Sequence, residues 1–220
     1  MNKIIRLIAW PFIIAPVIYL AIVWDKLPEK VATHFDLHGN ANQYGDKNQL
    51  LIMVAVLAGV AALIYLLLPL VYKIDPKKRA VENKTSLQRL SFAIALFVSF
   101  IACIIINSAE HGSIHFNIRL IFGGIGVLWC IMGNYMHNIK PNYFAGFRIA
   151  WTLNNEENWK KTHLLGGKLW FAGGLIIVIT SLFAPASILI ALFIIVSVII
   201  TFIPFIYSYR LYKKQQIAQN

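Results

Sequence analysis

Six apolar runs, each of membrane-crossing length, constrain this chain more than any other feature. They fall near residues 4–24, 50–72, 90–108, 118–136, 169–185 and 187–208. A bilayer's hydrocarbon core is about 30 Å thick and takes about 20 apolar residues of helix to span. No water reaches backbone N–H and C=O groups there, so each run must pair them internally as a helix. No run has an Asp, Glu, Lys or Arg in its interior; Arg6 and Arg119 lie at run ends. Of all residues, 59% are hydrophobic and 13% charged, against about 25% charged in an ordinary soluble domain. The runs predict an all-α, polytopic membrane protein with six transmembrane helices.

The first run has a basic start and resembles a secretory signal, but "DKLPEK" follows it instead of a small-residue cleavage site. It reads as a retained first span. Cys103 and Cys130 lie inside apolar runs and read as free thiols acting as small hydrophobes. "APAS" between the last two runs is too short for anything but an antiparallel pair. The glycine clusters "GGIG" at 123–126 and "AGG" at 172–174 suit close helix packing, within one bundle or between copies.

Charge orients the spans. Of the 20 Lys and Arg residues, only Lys26, Lys30, Lys47 and Arg119 fall on one set of loops, and the other 16 fall on the opposite set. Basic loops stay cytoplasmic. Both termini are therefore expected on the cytoplasmic side of the membrane. The net charge of +11 then reflects topology and attraction to anionic membrane lipid, not direct binding of nucleic acid.

The first outer loop, residues 25–49, is rich in turn residues. "HFDLH" places His34 and His38 four apart. On a helix that spacing would present both to one divalent metal ion, with His111 or His115 approaching from the second outer loop. The plainer reading is a solvated loop whose histidines order turns.

The segment between the fourth and fifth runs is richer. "NYFAGFRIAW" spaces Tyr143, Phe147 and Trp151 by four, which predicts a helix lying at the membrane surface, aromatic side down. "NNEENWKKTH" predicts a second, short helix capped by Asn154 with Glu157 three residues on. Trp159 and His163 share a face of it, and Gly166 and Gly167 stop it before the fifth span. The expected product is an interfacial and cytoplasmic helical platform between helices 4 and 5.

Two stretches resemble one family. "LPEKVATHFDLHGNANQYGDK" resembles the amino-terminal domain of bacterial membrane proteins of the SdpI type, on a pattern that includes His34, Gly39 and Lys47. "GNYMHNIKPNYFAGFRIAWTLNNEENWKKTHLLGG" resembles the core signature of the same family: Gly-Asn-Tyr, Lys-Pro-Asn, Gly-x-Arg, Trp-Thr-Leu, Trp and Thr-His ahead of glycines. Relatives often carry a small residue and Pro between the motif Arg and Trp, where this chain has Ile149 and Ala150. The resemblance implies two units: 1–89, with two spans and the outer loop, and 90–220, an SdpI-like four-span core with a cytoplasmic segment at 137–168. Carried over by motif, the positions of interest are Asn134, Asn142, Gly146, Arg148, Trp151, Trp159 and His163, as partner-binding or structural residues.

The family is named for an immunity protein against a sporulation-delaying toxin. The resemblance therefore implies resistance to a secreted antimicrobial peptide toxin, and signalling through a recruited cytoplasmic repressor of the ArsR type. A small-molecule or ion transporter is the alternative, but its usual ionisable residues at mid-membrane depth are missing from the apolar runs. An enzyme is disfavoured, because no nucleophile–base pairing, phosphate loop or metal-hydrolase helix motif is present. No cofactor is expected beyond the metal considered at His34 and His38.

Overall fold

A computed structural model describes residues 3–36, 41–77, 79–111 and 118–217. Its main elements are α1 (Lys3–Val23), β1 (Lys30–Phe35), β2 (Ala41–Asp46), α2 (Lys47–Leu67), α3 (Lys84–His111), α4 (Ile118–Met136), α5 (Ala150–Leu153), α6 (Glu156–Phe183) and α7 (Ala186–Ile217). Six of these helices are long and apolar enough to cross a membrane. The molecule is an all-α, multi-pass membrane protein with one small sheet. The carboxyl-terminal end of α1 packs against the β-hairpin, with Leu20 and Val23 beside Val31.

The helices pack in two groups. α1, α2 and α3 form one, with Ala9, Ile13, Ala61, Tyr65 and Ala95 buried together. α4, α6 and α7 form the other, around Ile177, Val196 and Ile200. Glycines set the spacing of α4 against α6. Gly126 meets Gly174, and Gly133 meets Gly167. A Cβ on Gly133 would sit 2.7 Å from the Gly167 carbonyl oxygen, and one on Gly174 would sit 2.5 Å from that of Gly126. Such contacts admit no side chain and let the two backbones touch. The glycine clusters at 123–126 and 172–174 thus serve packing within one bundle. Cys103 and Cys130 are free thiols.

Three expectations fail at the platform. α6 does not stop at Gly166–Gly167 but runs unbroken from Glu156 to Phe183. Both glycines are buried against neighbouring elements, so their lack of a side chain serves packing rather than termination. The cap is Asn155, whose side chain accepts from the Asn158 N–H, and not Asn154. The expected surface helix at 142–151 is also missing: residues 138–149 form turns, and only Ala150–Leu153 are helical.

The opposite face also differs from the turn-rich loop expected. β1 and β2 pair antiparallel, Lys30 opposite Asp46 and Val31 opposite Gly45. Val31 is buried with Leu20, Val23, Leu27, Leu50, Val54 and Ile106. That apolar seat fixes the hairpin's register, because a one-residue slip would turn Val31 outward.

Candidate functional site: a loop pinned by side chains

The loop at 138–149 is ordered by an unusual means: side chains take up its amide protons. The Tyr143 N–H donates to Asp75 at 2.7 Å. Those of Phe144 and Ala145 donate to Asn142 Oδ1 at 2.8 and 2.7 Å. The Phe147 N–H donates to His163 Nε2 at 3.0 Å, and that of Ile149 to the Thr152 hydroxyl at 3.0 Å. Buried backbone groups must find partners; here the partners come from Asn142 within the loop, from Thr152 in α5, from the α2–α3 connection and from α6.

His163 is fully buried. Its Nε2 accepts from Phe147, so Nδ1 carries the proton and donates to the Trp159 carbonyl at 2.8 Å. This fixes a neutral tautomer. The Trp159 ring stacks on the imidazole with centroids 3.9 Å apart, and its indole N–H donates to the Ile139 carbonyl at 2.7 Å. Gly146 crosses directly over His163 with φ of +102°, and a Cβ there would collide with Nε2. Both the left-handed backbone and the close approach require glycine.

Asn142 acts twice. Besides accepting from Phe144 and Ala145, it donates to the carbonyls of Lys140 and Ala145. Asn83 grips Lys140 from the other side, donating to its carbonyl and accepting from its N–H. A second buried network anchors the end of the platform to α7. The Trp151 indole donates to Ser208 Oγ at 2.7 Å, and Ser208 Oγ donates to Asn158 Oδ1 at 2.9 Å. Thr162 also donates to Asn158, whose amide returns to the Ser208 carbonyl. The Trp151 ring lies among Phe205, Tyr209 and Tyr212.

The α2–α3 connection closes the structure from outside. Lys77 donates to the Leu153 carbonyl at 2.7 Å. Arg79 bridges Glu82 and Glu156 at 2.7 and 3.0 Å, and the Glu82 hydrogen bond holds its guanidinium above the ordinary pKa.

The structure thus gathers six of the seven core-motif positions into one assembly: Asn142, Gly146, Arg148, Trp151, Trp159 and His163. Arg148 and His163 do not touch each other. Arg148 is exposed and donates to the Tyr143 carbonyl at 2.7 Å. Asn134 stands apart, exposed on α4. Asp75, Asn83, Thr152, Asn158, Thr162 and Ser208 were missed by sequence reasoning. Thr162 falls one turn after Asn158, a spacing that offered a hint; Asp75, Asn83 and Ser208 lie too far along the chain for any local signal. Buried Asn142, Trp159 and His163 cannot touch a partner; they shape the surface made by Tyr143, Phe144 and Arg148, which is exposed.

On the opposite face, Lys47 bridges Glu29 at 2.7 Å and lies over the Trp24 ring. His34 lies in β1 and pairs with Asn42, so the helical geometry that would join it to a residue four places on does not hold at His34. His38, Gly39 and His115 lie outside the described residues. Among the described residues no group of three His, Cys, Asp or Glu stands close enough to hold a metal.

The sequence has parallels in known proteins. The model of the SdpI/YfhL protein family matches residues 138–208, which run from the pinned loop to Ser208. A domain of unknown function, DUF1648, matches residues 12–58, which include the hairpin. Immunity protein SdpI of Bacillus subtilis (strain 168) is 26% identical over 196 residues, 88% of each chain. No solved structure matches the chain. The platform, its buried histidine, α6 and most of α7 fall within the stretch that is similar to the SdpI/YfhL protein family.

Proposed function

We propose that this protein is a membrane immunity protein that protects the cell making it from a secreted antimicrobial peptide toxin. The observation that carries the reading is the match to Immunity protein SdpI across 88% of both chains. On this reading the protein sits in a bacterial cell membrane, and the asymmetry of Lys and Arg supports a topology with both termini and the platform on the cytoplasmic side. The hairpin face would then meet the toxin. The platform, with Tyr143, Phe144 and Arg148 outward, would dock a cytoplasmic repressor. No catalytic step is assigned to it.

The test is survival. A sensitive bacterium expressing the chain is challenged with purified sporulation-delaying peptide, and growth is followed with and without the Arg148→Ala and His163→Ala substitutions. Protection by the parent chain, lost in either variant that still inserts into the membrane, is expected. Unchanged sensitivity with the parent chain would sink the reading. Sidedness is checked with Lys160→Cys in a chain whose own cysteines are replaced. An impermeant thiol reagent added to intact cells should leave it unlabelled, and labelling would reverse the topology.

A further inference from the structure

A groove runs between α3 and α4 on the outside of the bundle. Its wider part, about 580 Å³, opens at the end near the platform between Thr85, Arg89, Asn134 and Tyr135. It adjoins a narrower hollow of about 240 Å³, with which it shares Ala93, Leu96 and Ile131 as lining. Phe97 and Phe100 narrow the inner end over Gly124, where even a Cβ would come within 3.0 Å of Phe100.

Three observations say what fills it. The first is length. Arg89 to Phe100 is eleven residues of helix, about 16 Å at 1.5 Å per residue. One leaflet contributes about half of a hydrocarbon core of about 30 Å. The groove therefore matches one leaflet's acyl layer, and a transmembrane helix would need about twice that length. The second is polarity. Below the rim the wall is apolar, with Phe92, Ala93, Leu96, Val127, Leu128 and Ile131. The third is an unmet demand at the rim. Arg89 lies over the Tyr135 ring, 5.7 Å from its centroid. Among the described residues no carboxylate pairs with it, and the Asn134 amide likewise has no hydrogen-bond partner. Polar groups at the edge of hydrocarbon need partners, and a guanidinium matches a phosphate in a forked, charge-assisted geometry.

We infer that this groove is a binding site for one anionic phospholipid of the leaflet on the termini's side. Its phosphate sits on Arg89, with Thr85 and Asn134 beside it, and one acyl chain lies between α3 and α4. This assigns a role to Asn134, the motif position that the pinned loop leaves out.

The test uses detergent-purified full-length chain, stripped of lipid and titrated with phosphatidylglycerol or phosphatidylcholine, read by native mass spectrometry. One phosphatidylglycerol per chain should be retained in preference to phosphatidylcholine. Arg89→Gln should weaken retention about tenfold, the scale of one lost charged hydrogen bond, and Leu96→Trp, which fills the groove, should abolish it. Asn134→Ala and Arg89→Gln alter exposed side chains, so both should keep the parent melting temperature, and Asn134→Ala should also weaken retention. Equal retention of both lipids, parent-like retention by Arg89→Gln and Asn134→Ala, or a dimer that Leu96→Trp dissolves would each overturn the assignment.

Discussion

Two short segments cap the two faces of this bundle, and they are ordered in different ways. The hairpin at 30–46 pairs its backbone with itself and rests Val31 on an apolar seat. The loop at 138–149 hands five of its amides to the side chains of Asp75, Asn142, His163 and Thr152. Backbone pairing tolerates many sequences, provided the face pattern holds. Side-chain pairing requires a particular residue at each post. The difference explains why one substitution in the loop should do more harm than one in the hairpin.

Four substitutions break or sharpen this contrast. Gly146→Val should have the largest effect. It places a β-branched residue at positive φ and drives its Cβ into His163. A loss of about 4 kcal/mol is expected from backbone strain and lost packing, seen as a lower thermal midpoint in detergent and rapid proteolysis near residue 146. His163→Ala comes next, at about 3 kcal/mol. It opens a cavity under Trp159 and leaves the Phe147 amide without its acceptor. A thermal midpoint equal to that of the parent protein would contradict the role of His163 as the central post. Val31→Ala tests the hairpin's apolar seat and should cost about 2 kcal/mol, with the platform's protease resistance unchanged. Lys47→Ala removes an ion pair whose partner Glu29 is largely exposed. Exposed pairs contribute little, so no change in thermal midpoint is expected; a clear drop would show that charge holds the hairpin in place.

The spans were legible because apolar length alone decides them. The runs near 4–24 and 118–136 sit almost where α1 and α4 begin and end. The platform was legible as a place but not as a structure. Tyr143, Phe147 and Trp151 repeat at helical spacing, yet Gly146 needs a positive φ that no α-helix supplies, and Asn142 offers its own oxygen to the next amides. Gly166 and Gly167 looked like a stop because a helix end and a helix contact both favour glycine. Only the presence of Gly133 and Phe147 opposite them decides between the two. Asp75, Asn83 and Ser208 reach the site from distant parts of the chain, and no periodicity reports such contacts. The hairpin was obscured by its turn residues, which suit a loop and a strand pair alike.

Amide hydrogen exchange, resolved by peptide across both faces, tests the central claim most directly. Protection reports whether an amide holds its partner against opening. The amides of Phe144, Ala145, Phe147 and Ile149 should exchange as slowly as those in the neighbouring part of α6. In His163→Ala they should lose that protection together, while Val31 and Ala32 in β1 keep theirs. Exchange of the 143–149 amides at the rate of an open peptide in the parent protein, or protection that survives the loss of His163, would contradict a loop held by its side-chain posts.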